Sequence, residues 1–351
     1  MKKTTLFVAL FAGLLLGGCN STPTEGKTDT PATTGGTNDA KKLKIGVVFD
    51  SGGRGDKSFN DSAWAGIERA QKELGIEAFP IETKNEKDYE TNQGALAEKG
   101  CDLVIAIGLN QETALKKVAA AFPDQKFAIV DGTVDAKNVR CLKFKEEEGS
   151  FLVGYLAGMM TKTNKIGFVG GMKIPLIAKF MYGYMAGAKT ANKAVEILPE
   201  KFTDNWDDSQ KGKAAAALLF GQGADIVYHA AGRAGLGVIT AAKESGHFAI
   251  GVDSNQDDIA PGSVLTSMIK RVDEAVFSTI SDVKNGAYSP GEKIYDLKVN
   301  GVGLSPLDHT KSVIGDANLA KIEEIKKKII AGEIKVPAVE ADYTAYISTI
   351  K

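Results

Sequence analysis

The chain contains an internal repeat with a long period. Three short phrases each occur twice, in the same order. The pairs are residues 44–48 (KIGVV) with 165–169 (KIGFV), 100–105 (GCDLVI) with 223–228 (GADIVY), and 127–131 (FAIVD) with 248–253 (FAIGVD). Their separations, taken between first residues, are 121, 123 and 121. A nearly constant period of this length indicates two duplicated domains rather than a solenoid of short repeats.

Within each copy, short apolar runs alternate with longer helical patterns, which is typical of stacked βαβ units and a parallel sheet. In the first copy we predict strands at 44–49, 76–82, 102–107, 126–130 and 140–144, with helices near 57–74, 86–99 and 111–121. In the second copy we predict strands at 165–169, 194–198, 224–228 and 247–251, with helices near 177–192, 207–220 and 236–245. The predicted fold class is therefore α/β, with two Rossmann-like lobes.

The pattern continues past the second copy. We predict one more strand at 264–270, a helix at 272–285, strand-rich chain at 293–304 and a closing helix at 318–331. A chain that crosses between lobes more than once forms a multi-segment hinge with a cleft between the lobes. The expected division is 41–146 with 256–286 in the N-terminal lobe, and 147–255 with 287–351 in the C-terminal lobe.

The first residues have the features of an export signal. Lys2 and Lys3 form a charged start, and the apolar stretch 6–16 is shorter than the roughly 20 residues that span a bilayer. It leads into LGGC, which resembles the bacterial lipobox; an ordinary secretory signal is the alternative. We predict a signal peptide at 1–18, lipidation of Cys19, and a disordered polar tether at 19–40.

Composition argues against several classes of protein. The formal net charge is -1 and no basic block occurs, so we expect no nucleic-acid partner. His229, His247 and His309 lack metal-ligand spacing and no nucleophile motif is present, so we expect no metal and no cofactor. Cys101 and Cys141 belong to apolar strand patterns. We expect buried free thiols, with a disulfide as the alternative.

Two polar segments follow predicted strands and precede predicted helices, one in each copy. The first, 50–60 (DSGGRGDKSFN), lacks the residue order of a phosphate loop, and its aspartates would repel a polyanion. Phe59 in it either packs on the core or offers a face to a flat ligand. The second, 203–212 (TDNWDDSQKG), contains Trp206, which either packs on its own lobe or stacks on a planar ring.

Charged residues end three of the predicted strands. Asp131 and Asp253 end equivalent strands of the two copies, and Lys270 ends the later strand. Because open parallel sheets bind ligands outside the carboxyl ends of their strands, we expect these side chains at the cleft. Paired carboxylates either catalyse proton transfer or accept hydrogen bonds from sugar hydroxyls. Gly232 lies in a glycine-rich turn whose backbone can approach a ligand closely.

Several longer phrases of the chain are distinctive when taken together. They are DSG at 50–52 followed by DKSFN at 56–60, EGSFLVG at 148–154, GVD at 251–253 and TSMIKR at 266–271. With these phrases the chain resembles the basic membrane protein family of bacterial lipoproteins, in particular its PnrA-like purine nucleoside receptors. The resemblance extends from residue 43 to the carboxyl end. It implies a type I periplasmic-binding-protein fold and a solute-binding subunit of an ABC importer.

The resemblance also implies a set of ligand-binding residues in one cleft. These are Phe59 and Trp206 for the faces of the base, Asn60 and Asp131 for its edge, Asp253 and Lys270 for the ribose, with Asp50 and Gly232 beside them. Family members typically have Phe where this chain has Trp206. The turn around Gly232 also differs in detail from the family pattern.

We therefore expect a monomeric, lipid-anchored receptor on the extracytoplasmic face of the cell membrane. It would capture a purine nucleoside such as adenosine, guanosine or inosine and deliver it to the permease and ATPase subunits of an ABC importer. One alternative is an enzyme, a nucleoside hydrolase or phosphorylase that uses the acids of the cleft. Another is a surface lipoprotein that serves in signalling or adhesion on the same fold.

Overall fold

The computed structural model describes residues 42–350, so the expected signal peptide, the tether and Cys19 lie outside the described residues. The strands are β1 (Lys44–Phe49), β2 (Glu77–Glu82), β3 (Leu103–Ile107), β4 (Phe127–Val130), β5 (Val139–Phe144), β6 (Lys165–Gly170), β7 (Glu196–Ile197), β8 (Lys201–Phe202), β9 (Ile226–Ala230), β10 (Phe248–Asp253), β11 (Val264–Lys270), β12 (Gly291–Tyr295) and β13 (Val302–Leu304). The helices are α1 (Phe59–Leu74), α2 (Tyr89–Glu98), α3 (Glu112–Ala121), α4 (Glu146–Met160), α5 (Pro175–Ala191), α6 (Ser209–Gly221), α7 (Gly235–Ser245), α8 (Val272–Lys284), α9 (Lys311–Ile314), α10 (Asp316–Ile330) and α11 (Glu340–Thr349).

The strands form two sheets of the same design. The first has the order β2-β1-β3-β4-β5-β12, and the second has the order β7-β6-β9-β10-β11-β13, with β8 also paired to β6. The strand pairs are parallel except β11 with β13. In each sheet the strand order reverses beside the first strand of the copy, and such switch points are where open α/β sheets bind ligands. The prediction of two Rossmann-like lobes is thus confirmed.

The central strands are apolar because helices cover both faces of each sheet. β3 and β11 are buried along their whole length, and β1 is buried except at its first residue. Strands buried on both faces are expected to be continuous apolar runs rather than alternating ones. This explains why the sequence pattern located β1 and β11 without error in their bounds.

Helix α4 was missing from the sequence-based prediction. It is buried on almost every side and is apolar after an acidic first turn, so it lacks the polar stripe that identifies a surface helix. It packs closely on α5, and the approach depends on glycine. A Cβ on Gly154 would lie 2.0 Å from the Tyr184 carbonyl oxygen, and one on Gly187 would lie 2.0 Å from that of Phe151.

The chain crosses between the lobes after β5, after β11 and after β12. Two strands therefore differ from the expected division of the chain. β11 pairs with β10 in the C-terminal sheet, although 256–286 was expected in the N-terminal lobe. β12 pairs with β5 in the N-terminal sheet, although 287–351 was expected in the C-terminal lobe. Local sequence patterns identify a strand but not its sheet, because strand partners are distant in the chain.

Two further findings concern cysteine and the membrane. Cys101 and Cys141 are buried and free, so the expectation of unpaired thiols is confirmed. Within residues 42–350, no helix is both long enough and apolar enough to cross a bilayer.

Candidate functional site

A cavity lies between the lobes, outside the carboxyl ends of the strands. The residues singled out from sequence as candidate ligand contacts all line it: Asp50, Phe59, Asn60, Asp131, Trp206, Gly232, Asp253 and Lys270. The sequence analysis did not find other parts of the wall, notably Asn110, Leu176, Phe180 and Arg233. Polar and aromatic side chains from both lobes thus line the cavity.

Asp131 and Asp253 occupy equivalent places in the two lobes. Asp131 follows β4 directly and Asp253 is the last residue of β10, and both have left-handed backbone conformations, with φ of 67° and 65°. Asp tolerates this region better than most residues, because its short side chain can hydrogen-bond locally. The repeat therefore brings two carboxylates to the cavity by the same local geometry.

The loop after β1 is shaped by Asp56, which is 2% exposed. Its carboxylate accepts hydrogen bonds from the backbone N–H groups of Ser58 (2.9 Å), Asn60 (2.9 Å) and Asp61 (3.1 Å). These are donors at the start of α1 that would otherwise lack partners within the helix. Asp56 therefore acts as a structural residue that fixes the entry into α1.

Asn60 is held between two carboxylates. Its Nδ2 donates to Asp50 Oδ1 at 2.9 Å and to Asp56 Oδ2 at 3.1 Å. These two acceptors determine which way the amide points, and Oδ1 is left buried without a hydrogen-bond partner among the described residues. Burial raises the pKa of Asp50 to about 7, against the opposing effect of the Asn60 hydrogen bond.

Lys270 is the buried cation of the site, with 1% of its surface exposed. Its Nζ lies 2.6 Å from Asp131 Oδ2 and 3.2 Å from Glu146 Oε1. Burial alone would lower the pKa of Lys270, but the charges of Asp131 and Glu146 outweigh burial and hold the pKa above its usual value. Nζ also lies 5.3 Å from the centre of the Phe59 ring, within the range of a cation–π contact.

Glu146 was not singled out from sequence. It is 1% exposed and bonds Lys179 as well, with Lys179 Nζ at 3.0 Å from its Oε2. Glu146 opens α4 directly after the first crossing between lobes, so its partners are far away in sequence. An acid in the first turn of a helix usually indicates only a favourable interaction with the helix dipole, so nothing in the sequence indicated that Glu146 forms buried ion pairs.

Asp253 accepts a hydrogen bond from the Ser58 hydroxyl across the cleft. Burial raises the pKa of Asp253 to about 7, although the charge of Lys270 and the bond from Ser58 oppose the rise. Asp131 keeps one buried oxygen, Oδ1, without a hydrogen-bond partner among the described residues. The polar wall of the cavity therefore consists largely of acceptors, which suits a ligand rich in hydrogen-bond donors.

The two aromatic residues pack on the core and also lie at the cavity. Phe59 and Trp206 are each partly buried against the core of the molecule, and each also lines the cavity. Trp206 packs on Gly171, where an added Cβ would lie 2.2 Å from the indole. Such packing holds the ring in place, as a stacking platform requires.

The histidines take no part in the cavity. His229 is fully buried and its Nε2 lies 3.0 Å from Gln256 Oε1, while burial lowers its pKa to about 4. His309 pairs with Asp258 at the surface. Among residues 42–350, no group of three or more His, Cys, Asp or Glu side chains has the geometry to hold a metal ion.

A chain with two similar α/β lobes, three crossings between them and a polar and aromatic cavity at the switch points has the architecture of a solute receptor that closes on its ligand. Comparisons with known proteins agree. Residues 42–340 match the family described as ABC transporter substrate-binding protein, PnrA-like. The chain belongs to this family, whose members are the substrate-binding proteins of ABC transporters and not enzymes.

Individual relatives cover nearly the whole chain. It is 37% identical to a CD4+ T-cell-stimulating antigen of Listeria innocua, over 96% of this chain and 99% of that one. It is 34% identical to the ABC transporter nucleoside-binding protein BmpA of Lactococcus lactis, over 96% of this chain and 100% of that one. Among solved structures, an ABC transporter solute-binding protein of Aeropyrum pernix superposes with a TM-score of 0.78 and 31% identity, covering 88% of this chain and 97% of that one. The expected type I periplasmic-binding-protein fold is thereby confirmed.

Proposed function

We propose that this protein is a lipid-anchored receptor that captures a purine nucleoside between its lobes and delivers it to the permease of an ABC importer. The observation that carries the proposal is the composition of the cavity wall. It combines two aromatic faces with buried acceptors that lack partners among the described residues, on Asn60 and Asp131. A purine nucleoside offers a flat ring to stack and N–H and hydroxyl groups to donate.

Each part of the nucleoside has a matching set of side chains. In the proposed complex Phe59 and Trp206 stack on the base, and base–aromatic stacking contributes roughly 1–3 kcal/mol per base. Asn60 and Asp131 accept hydrogen bonds from the base edge. Asp253 accepts from the ribose hydroxyls, with Lys270 donating beside it, and Asp50 and Gly232 complete the pocket.

Ligand class is tested by titration calorimetry with adenosine, guanosine and inosine and with their 5′-monophosphates. We expect the neutral nucleosides to bind more tightly, because a phosphate brought near the acids of the cavity is repelled. Mass spectrometry of small molecules released from the purified protein provides an independent identification. Tighter binding of the monophosphates would contradict the proposal.

Asp253→Ala tests the proposed ribose contact. Loss of a charge-assisted hydrogen bond costs roughly 1.5–3 kcal/mol, so we expect the affinity for the nucleoside to fall by about tenfold or more. A 2′,3′-dideoxynucleoside should bind the native protein poorly and be affected much less by the substitution. The same samples are analysed for free base by chromatography. Sustained release of free base by the native protein, abolished in Asp253→Ala, would show that the protein is an enzyme rather than a receptor.

Anchoring is proposed through Cys19, from the LGGC phrase that follows the apolar leader. Cys19→Ser should prevent incorporation of radiolabelled palmitate and release a folded, ligand-binding protein from the membrane fraction. The native chain processed in parallel is the control. Equal labelling of the two proteins would refute the assignment of Cys19.

A further inference from the structure

Arg233, which lines the cavity, forms hydrogen bonds from one lobe to the other. It lies in the C-terminal lobe, in the turn between β9 and α7, and its Nη2 donates to the carbonyl oxygens of Gly52 (3.1 Å) and Arg54 (3.0 Å). Both acceptors belong to the loop after β1 of the N-terminal lobe. The guanidinium therefore spans the cleft at the point where the lobes approach each other.

The acceptors are positioned by the N-terminal lobe alone. The Arg54 side chain forms an ion pair with Glu82, and its guanidinium lies 4.3 Å from the centre of the Trp64 ring. The backbone N–H of Ser51 donates to the Tyr89 hydroxyl at 3.1 Å. The loop thus presents its carbonyl groups in a fixed direction without help from the opposite lobe.

The donor is positioned by the segment that carries Trp206. The backbone N–H of Ala234 donates to the Trp206 carbonyl oxygen at 3.0 Å. Gly232 has a left-handed φ of 55°, and an added Cβ there would lie 3.3 Å from that same carbonyl oxygen. The turn that holds Arg233 is therefore tied to the backbone of Trp206 and moves with it.

We infer that Arg233 is a closure latch, a positioning residue that joins the C-terminal lobe to the loop after β1 when the cleft closes. Its two hydrogen bonds form only when the lobes meet, because the donor and the acceptors are held separately by their own lobes. A ligand that orients Trp206 also orients the latch, through the bond between Trp206 and Ala234. The latch slows ligand release while acting on backbone atoms rather than on the ligand.

Other interlobe hydrogen bonds do not replace it. The Ser254 hydroxyl donates to the Ser58 carbonyl oxygen at 3.1 Å, and Gln256 Nε2 donates to the Lys57 carbonyl oxygen at 3.0 Å. These donors follow β10 and meet the start of α1. Arg233, by contrast, bonds the part of the loop nearer to β1, at Gly52 and Arg54, so its removal should free that part while these bonds and the Lys270–Asp131 pair remain.

The latch is tested by the distance between the lobes in Arg233→Ala. Spin labels on Thr113→Cys at the start of α3 and Lys211→Cys at the start of α6 report this distance, since both positions are exposed and one lies on each lobe. The full chain is purified in detergent, and distances are measured by pulsed dipolar spectroscopy with and without guanosine. We expect Arg233→Ala to shift the distribution to longer distances under both conditions.

Dissociation of guanosine supplies the second measurement, and this arm rests on the proposed function. We expect Arg233→Ala to raise the dissociation rate about tenfold or more, with a smaller change in the association rate. Arg233→Lys keeps the charge but not the planar fork, and should give an intermediate result. Lys243→Ala, which removes a charge from an exposed position on α7 of the same lobe, should change neither quantity.

The two measurements separate the two hypotheses. Absence of nucleoside binding to the native protein would reject the proposed function. The distances between the spin labels without guanosine would still test the latch. Distance distributions in Arg233→Ala that match those of the native protein would overturn the latch. So would effects in Lys243→Ala as large as those in Arg233→Ala, because the cause would then be net charge.

Discussion

Replacement of Lys270 by methionine should destabilise the protein through its buried charges rather than its packing. The two side chains have similar length, so the change in volume is small. The substitution removes a cation that lies 2.6 Å from Asp131 Oδ2 and 3.2 Å from Glu146 Oε1 in a fully buried site. Removal of one member of a buried ion pair typically costs about 3–5 kcal/mol.

The structure favours the lower end of this range. Glu146 keeps a second cation, because Lys179 Nζ lies 3.0 Å away, so its loss is limited. Asp131 is affected more strongly, since its other oxygen already lacks a hydrogen-bond partner among the described residues. We therefore expect Lys270→Met to lower the free energy of unfolding by about 3 kcal/mol at pH 8.

The stability lost in Lys270→Met should increase as the pH rises. Burial raises the pKa of Asp131 in the native protein, and the charge of Lys270 opposes the rise. Without Lys270 the folded-state pKa of Asp131 rises further above its unfolded value, so the folded variant binds more protons than the unfolded chain between those two values. Stability of the variant then falls as pH rises through this window, and the deficit should be smaller at pH 5.5 than at pH 8.

Urea unfolding measured by tryptophan fluorescence provides the assay. The chain has two tryptophans, Trp64 in the N-terminal lobe and Trp206 in the C-terminal lobe, so both lobes contribute to the signal. Lys179→Met is the matched control. Its side chain is 30% exposed, so its loss should stay near or below about 1 kcal/mol.

A compensating substitution at Asp131 tests the cause of the lost stability. Adding Asp131→Asn to Lys270→Met removes the uncompensated carboxylate and should restore most of the lost stability. A double variant no more stable than Lys270→Met would show that the unpaired Asp131 carboxylate does not cause the loss. An equal loss of stability in Lys179→Met would contradict the prediction too, since burial would then not determine the cost.

Two further predictions concern packing and proton linkage. Gly212→Ala should lower the free energy of unfolding in urea by about 1–3 kcal/mol, because an added Cβ would lie 1.9 Å from the Ala234 carbonyl oxygen. Gly221→Ala in the same helix is the control: its Cβ meets nothing within 4 Å, so it should be neutral or slightly stabilising. Nucleoside affinity should rise with pH up to about 7 and then level off, because hydroxyls that donate to Asp253 stabilise its carboxylate and lower a pKa that burial raises to about 7 in the free protein. Calorimetry at pH 6.5 in buffers of different ionisation enthalpy should show proton release on binding, and proton uptake would contradict this role of Asp253.

Local sequence patterns predicted the strands that are buried on both faces and the phrases that repeat between the two copies. β1 and β11 were predicted with their observed bounds, and the duplicated phrases ended in the aspartates that lie at equivalent positions of the two sheets. The pattern failed for α4, since a helix buried on almost all sides shows no contrast between its faces. It also could not assign β11 and β12 to their sheets, as strand pairing depends on chain segments far away in sequence.

The candidate site, too, was predicted only in part from the sequence. Sequence alone determined that aromatic and charged residues stand where strands end and helices begin, and βαβ geometry then brings such positions to one edge of a sheet. Only the tertiary structure decided their partners: Lys270 with Glu146, and Arg233 with the carbonyl groups of the loop after β1. The physical reason is that both sets of contacts join residues far apart in the chain, which meet only in the folded protein, and no local pattern encodes the surface that a side chain will face.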